Sequence, residues 1–129
     1  IANQGDGTLL LSDIEAAMPK AWTSPTMSPH CADGEKYDVV SRIVADLDAL
    51  WKAGGSLAGQ GLIGIVTING ARVQLAEGGW ALVRASSNTP NLVIVVESPE
   101  SRDAMRAIFR DVDAIIRRQP EVGDYDQTV

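Results

Sequence analysis

The sequence predicts an α+β fold, a two-layer sandwich in which two helices cover one face of a four-stranded, mainly antiparallel sheet. Apolar residues recur at helical spacing in two segments, one at each end of residues 33–129. Four short, β-branched or alternating segments lie between them. The links between those four are too short for parallel crossovers, and both apolar helix faces need a cover. The predicted order is therefore α-β-β-β-β-α.

The first predicted helix begins near Asp33, which we expect to be its N-cap. Glu35 then places negative charge at the positive end of the helix dipole. Gly54-Gly55 favours termination of the helix. Its apolar face consists of Val39, Val40, Ile43, Val44, Leu47, Leu50 and Trp51.

Four strands are predicted in the middle of the chain. Leu62–Ile68 is rich in β-branched residues and runs directly into Asn69-Gly70, the dipeptide best suited to a type I′ hairpin turn. The return strand Ala71–Leu75 alternates between apolar and polar residues. The third strand is Trp80–Arg84, and the wholly apolar Leu92–Val96 suits a central position in the sheet.

The second predicted helix begins at Ser98, with Pro99 in its first turn. Arg117 and Arg118 suit the negative end of its dipole. We expect the acidic tail Glu121–Val129 to be frayed. The apolar face of this helix consists of Met105, Ile108, Phe109, Val112, Ile115 and Ile116.

Residues 1–32 differ in sequence pattern from the rest of the chain. Ser12–Glu15 reads as a capping box that opens a short helix through Met18. Pro25 and Pro29 then bias their neighbours towards extended geometry. We expect residues 1–32 to be the tail of a preceding domain plus a proline-containing hinge, and residues 33–129 to be one domain.

Composition excludes several classes of protein. The net charge is −6, and the 11 basic residues are scattered, so nucleic-acid binding is not expected. The apolar run Leu62–Ile68 is too short to span a bilayer, so no membrane partner is expected. Cys31 is the single cysteine, which fits a reducing compartment, and we expect a cytoplasmic protein.

The segment that joins the third and fourth strands carries the most informative chemistry. Within six residues it offers a guanidinium, three hydroxyls and an amide, which are the donors that a phosphate group favours. The same short polar side chains are also ordinary turn formers. Residue types alone therefore leave both an anion site and a plain turn open. The residues concerned are Arg84, Ser86, Ser87, Asn88 and Thr89.

The wider string resembles the C-terminal domain of the α-D-phosphohexomutases, in particular their bacterial phosphomannomutase/phosphoglucomutase branch. Asn69–Val73 is similar to the "DGVRV" hairpin of that family, and Gly79–Leu92 is similar to its "GWxLVRxSxTxP" segment. Glu97 and the upstream segment Ser24–Asp33 also match sequence motifs of that family. The resemblance covers about residues 10–118.

The resemblance implies that Arg84 clamps the non-transferring phosphate of the substrate, and that Ser86, Ser87, Asn88 and Thr89 supply further donors. Three departures leave the division of donors open. Asn69 replaces the usual Asp, Ser87-Asn88 replaces a commoner Asn-Thr or Gly-Thr, and Thr89 stands where Glu, Gln or Lys is frequent.

The resemblance also implies a function for a longer protein, the interconversion of mannose 1-phosphate and mannose 6-phosphate, with glucose phosphates as further substrates. The partners would be the phosphosugar and the other domains of the same chain. The family's phosphoserine loop, Mg²⁺ loop and sugar-reading loop do not occur in these 129 residues. We therefore expect no catalytic residue, metal ligand or cofactor here, with Mg²⁺ required by the longer enzyme. The alternative is a free-standing α+β interaction or ligand-binding module.

Other candidate sites fit simpler explanations. His30-Cys31 supplies too few ligands for zinc, and Gly5–Gly7 reads as a turn rather than a metal loop. A serine nucleophile would need a neighbouring base, and His30 is the only histidine. Trp80 is expected to support the core or the loop, and Arg72 to be a solvated strand residue.

Overall fold

A computed structural model describes residues 21–129 as two helices and six strands. The short helix predicted from Ser12 to Met18, like the turn at Gly5–Gly7, lies outside the described residues. In chain order the elements are β1 (Trp22–Thr23), α1 (Lys36–Lys52), β2 (Ser56–Leu57), β3 (Gln60–Val66), β4 (Ala71–Leu75), β5 (Trp80–Ala85), β6 (Leu92–Ser98) and α2 (Arg102–Ile116).

The six strands form one sheet in the order β1-β6-β5-β4-β3-β2, with every neighbouring pair antiparallel. The predicted α+β class, antiparallel sheet and two helices are confirmed. The predicted strand count and order were wrong, because the described order is β-α-β-β-β-β-β-α. The two missed strands, β1 and β2, are two residues long each. Alternation cannot be recognised over two residues, so tertiary pairing alone defines them.

One hydrophobic core lies between the sheet and the two helices. Residues directly opposite one another share a face, and Val73, Ala81 and Val96 lie in register and are buried. The apolar faces of both helices belong to the same cluster, apart from Trp51, which was predicted on that face but is 38% exposed. On the other face of the sheet, Arg72 is exposed and Leu82 is partly exposed. The helices therefore cover one face, as the sequence predicted.

Helix α1 begins later than the sequence predicted. Its N-cap is Glu35, which makes no side-chain capping hydrogen bond. Asp33, the predicted cap, instead accepts from Lys36 Nζ at 2.8 Å. The C-terminal stop is as predicted, since Gly54 adopts φ +70° just past the helix.

Helix α2 also begins later than predicted. Ser98 is fully buried at the end of β6, where its Oγ accepts from the amide of Glu100. The N-cap is Ser101, whose Oγ accepts from the Ala104 amide at 2.9 Å. The cap lies three residues later than predicted, since β6 extends to Ser98.

The turn between β3 and β4 has the predicted backbone conformation but not the predicted length. Asn69 and Gly70 adopt φ values of 57° and 117°, as that dipeptide favours. Strand β3 ends at Val66, two residues earlier than predicted, so the connection comprises residues 67–70.

The proline-containing connector is bonded to the sheet along its described length. Ser24 donates its amide to Val96 O at 2.9 Å, and Met27 exchanges two backbone hydrogen bonds with Ile94 at 2.9 and 3.0 Å. The Met27 side chain is fully buried in the core. The division of the chain at residue 33 remains a prediction, but the connector from Trp22 onwards packs as an edge of the same sheet.

The C-terminal tail was expected to be frayed, and this expectation was wrong. The amide of Gly123 donates to His30 O at 2.7 Å, and that of His30 donates to Asp124 O at 3.0 Å. Ser28 likewise donates its amide to Asp126 Oδ1 at 2.8 Å, and Val122 is buried. Acidic composition gave no sign of this order, because backbone hydrogen bonds, the Asp126 carboxylate and buried Val122 hold the tail.

Tyr125 anchors this tail and gives a testable pH dependence. Its hydroxyl donates to Asp113 Oδ1 at 2.7 Å, and its ring packs edge-on against Phe109. Burial, followed by the bond to Asp113, raises the pKa of Tyr125 above its ordinary value of 10. The unfolded chain therefore loses this proton at lower pH than the folded chain. The corresponding stability is complete below pH 10 and is lost as the pH rises above it.

Tyr125→Phe is expected to lower the free energy of unfolding at neutral pH by about 1 kcal/mol, because it removes one hydrogen bond. The variant is also expected to lose less stability than the wild type above pH 10. Urea unfolding from neutral to alkaline pH measures both effects. Tyr37→Phe is the matched control, since Tyr37 is 61% exposed. Equal alkaline losses in wild type and Tyr125→Phe would contradict the assignment.

Within residues 21–129, neither helix is both long and apolar enough to cross a membrane.

Candidate functional site

The loop between β5 and β6 is a tight, exposed hairpin end. The strands remain paired up to Ala85 and Leu92, and the Ser86 amide then donates to Asn91 O at 2.9 Å, which closes the loop. Ser87, Asn88 and Thr89 are exposed at its tip. The predicted polar residues therefore project together from one end of the sheet.

Ser86 organises the loop from within. Its Oγ accepts from Thr89 Oγ1 at 2.8 Å, and from the amides of Thr89 and Asn88 at 3.3 and 3.4 Å. This is the turn chemistry that the sequence offered as an alternative to an anion site. The two interpretations are compatible, because a hydroxyl whose oxygen already accepts still has its proton to donate to a ligand.

The donors next to Ser86 are not used within the domain. Among residues 21–129, the amide and side chain of Ser87 and the side-chain amide of Asn88 make no hydrogen bond. Both residues are exposed. The loop tip thus offers a backbone N–H, a hydroxyl and an NH₂ group to an approaching acceptor.

Arg84 lies at the end of β5 and is half-buried. Its Nη1 donates to Ala85 O at 3.2 Å. No carboxylate of the described residues lies within salt-bridge distance of it, whereas Arg42 and Arg117 pair with Glu121 and Asp113. Arg84 therefore presents a guanidinium at the base of the loop with most of its donors unused by the described residues.

A groove of about 560 Å³ runs beside the loop. It brings three separate parts of the chain together: the loop, the β3–β4 turn and the first turns of α1. Sequence reasoning missed the helix residues, because Tyr37 and Ser41 belong to no local motif and Val40 was assigned only to the apolar core face. The groove is lined by Arg84, Ala85, Ser87, Asn69, Gly70, Tyr37, Val40 and Ser41.

The β3–β4 turn lies directly against the backbone that carries Arg84. A Cβ atom on Gly70 would come within 2.2 Å of Val83 O and 2.8 Å of Arg84 Cβ. Gly70 is required both by this close approach and by its positive φ. The Asn69-Gly70 pair therefore packs the turn against Arg84 as well as reversing the chain.

Arg72 is an exposed strand residue, as expected, and it also lies over the ring of Trp80 at 4.5 Å. Trp80 Nε1 in turn donates to Glu97 Oε2 at 2.9 Å, and the other Glu97 oxygen accepts from the Thr23 hydroxyl. The predicted supporting role of Trp80 agrees with these contacts. They link β4, β5, β6 and β1 on the sheet face that the helices leave open.

Cys31 and His30 supply no reactive centre. Cys31 is fully buried, and this burial, with Glu35 next, raises the pKa of its thiol, so the thiolate needed for attack or metal binding is disfavoured. No group of three or more His, Cys, Asp or Glu side chains is placed to hold a metal ion among residues 21–129.

The structure brings Arg84 and Ser87 to one groove, places Ser86 and Thr89 in the bonds that shape the loop, and leaves Asn88 exposed at the tip. Contact of these five residues with a phosphate group remains a prediction.

Comparison with known proteins identifies relatives of the chain. The chain is 31% identical to a phosphomannomutase/phosphoglucomutase of Pseudomonas putida over 112 residues, which cover 85% of the chain and 21% of that protein. It is 28% identical to a Pseudomonas aeruginosa protein of the same name over 100 residues, 76% of the chain and 19% of that protein. The chain thus spans about a fifth of the length of these curated relatives.

A solved structure shares the fold. It is that of a phosphoglucomutase/phosphomannomutase family protein from Burkholderia thailandensis, with a TM-score of 0.62 and 21% identity, over 90% of this chain and 21% of that one. A sequence profile described as "Phosphoglucomutase/phosphomannomutase, C-terminal domain" matches residues 30–115, from the connector through nearly all of α2. The chain therefore belongs to the family of phosphoglucomutase/phosphomannomutase C-terminal domains.

Proposed function

We propose that the chain is the substrate-phosphate-binding domain of a longer phosphohexomutase that interconverts mannose 1-phosphate and mannose 6-phosphate, and glucose phosphates in the same way. The phosphate that is not being transferred would be held by Arg84, Ser86, Ser87, Asn88 and Thr89. The observation that carries this proposal is the pairing of Arg84, whose guanidinium meets no carboxylate of the described residues, with the open donors of Ser87 in one groove.

The chemistry of the groove matches a phosphate group. A guanidinium can donate two parallel hydrogen bonds to two phosphate oxygens, and a hydroxyl and a backbone N–H can serve a third. Each hydrogen bond to a charged group is worth about 1.5–3 kcal/mol. These contacts act at short range, so the net charge of −6 on the chain does not prevent anion binding.

A clamp on the remote phosphate also suits the proposed reaction. Binding energy from a part of the substrate that does not react can orient the reacting end. A bisphosphorylated intermediate has to present each end in turn, so the clamp has to release and grip again. The connector is bonded to β6 from Ser24 onwards. The connector would therefore move together with the domain.

Mg²⁺ and the phosphoryl-transfer groups would come from other parts of the longer protein. The described residues supply no cluster suited to a metal ion, and no step of the reaction is assigned to them. Their part is to bind and orient the phosphosugar. Cytoplasmic location, which suits soluble sugar phosphates, belongs to the same proposal.

Titration of the 129-residue chain with inorganic phosphate, followed by amide and guanidinium NMR shifts, tests the binding site. We expect weak, saturable shifts at Arg84 and at the amides of residues 86–89, because few phosphate contacts come from one domain. Sodium chloride at matched ionic strength is the control. Saturable shifts centred elsewhere, or none in the loop, would contradict the proposal.

A further inference from the structure

Lys36, the first residue of α1, is a buried cation with two fixed contacts. Its side chain is only 4% exposed. The Nζ atom lies 2.8 Å from Asp33 Oδ1 and 2.9 Å from the carbonyl oxygen of Thr89. Burying an ammonium group is unfavourable unless its donors are satisfied. The contact with Thr89 therefore has to form with good geometry in the folded state.

The Thr89 carbonyl connects Lys36 to the hydrogen bonds that shape the loop. It accepts from Lys36 Nζ and also from the Asn91 amide at 2.8 Å. The amide and hydroxyl of the same residue donate to Ser86 Oγ. A fixed Thr89 thus fixes the Ser86 oxygen, and with it the direction in which the Ser86 proton can be donated.

The connector before α1 contacts the end of the loop mainly through backbone atoms. The Cys31 amide donates to Pro90 O at 2.8 Å, and His30 forms a bridge with Asn91. These bonds hold the start of β6 but do not reach residues 86–89. Among the described residues, Lys36 is the one cationic side chain that donates a hydrogen bond to the backbone of residues 86–91. Its loss is expected to leave the fold intact and to free the Thr89 turn.

We propose that Lys36 is a positioning residue, which holds Thr89 and, through it, Ser86 in the arrangement that binds phosphate. This inference rests on the proposed phosphate-binding function of the loop. Stabilisation of the fold alone would be a different role. The Asp33 carboxylate is 71% exposed, and ion pairs with such exposed groups contribute little, so the bond to Thr89 is the contact that matters.

The test compares phosphate binding by Lys36→Met, which keeps the apolar stem and removes the ammonium, with binding by the wild-type chain. We expect Lys36→Met to bind inorganic phosphate about tenfold more weakly, since the loop donors are no longer held together. Lys52→Met is the matched control. Lys52 lies in the same helix and pairs with Asp48 at 2.8 Å, but its side chain is 70% exposed. Its removal is expected to leave phosphate affinity unchanged.

Two further measurements distinguish a positioning role of Lys36 from a contribution to the stability of the fold and from an effect of the ion pair alone. Without phosphate, Lys36→Met is expected to shift the amides of residues 86–89 and to speed their hydrogen exchange, with most of α1 unaffected. Asp33→Asn removes the ion pair but keeps the Lys36–Thr89 bond, so its affinity is expected to stay within about threefold of the wild type.

Each outcome bears on a different claim. Wild-type phosphate affinity in Lys36→Met, or a loss in Lys52→Met equal to that in Lys36→Met, would overturn the positioning role and leave the phosphate site standing. A wild-type chain whose loop does not respond to phosphate would overturn the proposed function, and the role of Lys36 with it. If Lys36→Met does not fold, Lys36→Gln, whose side chain is uncharged and one atom too short to reproduce the Nζ position, is compared with Asp33→Asn. Equal affinities in these two variants would contradict the inference.

Discussion

Arg84→Ala is expected to lower kcat/KM of the proposed longer mutase at least tenfold, since a hydrogen bond to a charged group is worth about 1.5–3 kcal/mol. Among residues 21–129, the Arg84 guanidinium meets no carboxylate, and its one hydrogen bond is to the neighbouring Ala85 carbonyl. Little of the fold therefore depends on it, and the loss is expected in activity rather than stability. Steady-state kinetics with mannose 1-phosphate measures the effect.

Two further variants sharpen this comparison. Arg84→Lys keeps the charge but not the planar fork, so it is expected to recover only part of the activity. Arg106→Ala removes an arginine on α2 that is about half exposed and lies outside the groove. It is expected to leave kcat/KM unchanged. An Arg84→Ala enzyme with wild-type kcat/KM would refute the assignment of Arg84 to the substrate phosphate.

Gly70→Ala is expected to lower the free energy of unfolding by about 3 kcal/mol or more, the largest stability effect that we expect for a single methyl group. The backbone at φ +117° disfavours any side chain. The added Cβ would also meet Val83 O at 2.2 Å and Arg84 Cβ at 2.8 Å, and a carbonyl within a sheet cannot easily move away. Urea or thermal unfolding measures the change.

Substitutions at two other glycines distinguish the destabilisation caused by backbone strain from that caused by steric collision. Gly59 has φ +76° with open space around it, so Gly59→Ala is expected to show only the strain, about 1–2 kcal/mol. Gly64 has neither a positive φ nor a close neighbour, so Gly64→Ala is expected to change stability by less than about 1 kcal/mol. If Gly70→Ala lowered the free energy of unfolding no more than Gly59→Ala, the inference that the turn packs closely against Arg84 would be contradicted.

The main elements of the fold follow from local pattern. The helical faces around Ile43 and Ile108, and the apolar strand at Leu92, are periodic over many residues and were predicted to within a few residues of their ends. Positive φ at Asn69-Gly70 follows from the steric freedom of those residue types.

The features that were missed depend on contacts between distant segments. Strand β1 exists because Trp22 and Thr23 meet Ser98 and Glu97, and no local pattern signals that pairing. The tail is ordered because Gly123 meets His30 across most of the chain. Both are edges of the domain, where pairing partners rather than periodicity decide the structure.

The residues of the candidate site likewise fall into two groups, those that a local pattern predicts and those that only contacts between distant segments reveal. The loop residues from Arg84 to Thr89 could be found because donors are concentrated in one short segment. Lys36 and Tyr37 are far from the loop in sequence and sit on a helix whose pattern explains them as ordinary surface. Only the packing of α1 against the loop reveals the buried ammonium at Thr89.

The most direct test of the phosphate site is the position of phosphorus in a crystal structure of the chain soaked with mannose 6-phosphate. We predict the phosphate in the groove beside Arg84, within hydrogen-bonding distance of its guanidinium and of donors from Ser86 and Ser87. A phosphate bound away from the groove, with the Arg84 guanidinium still directed at the Ala85 carbonyl, would contradict the account.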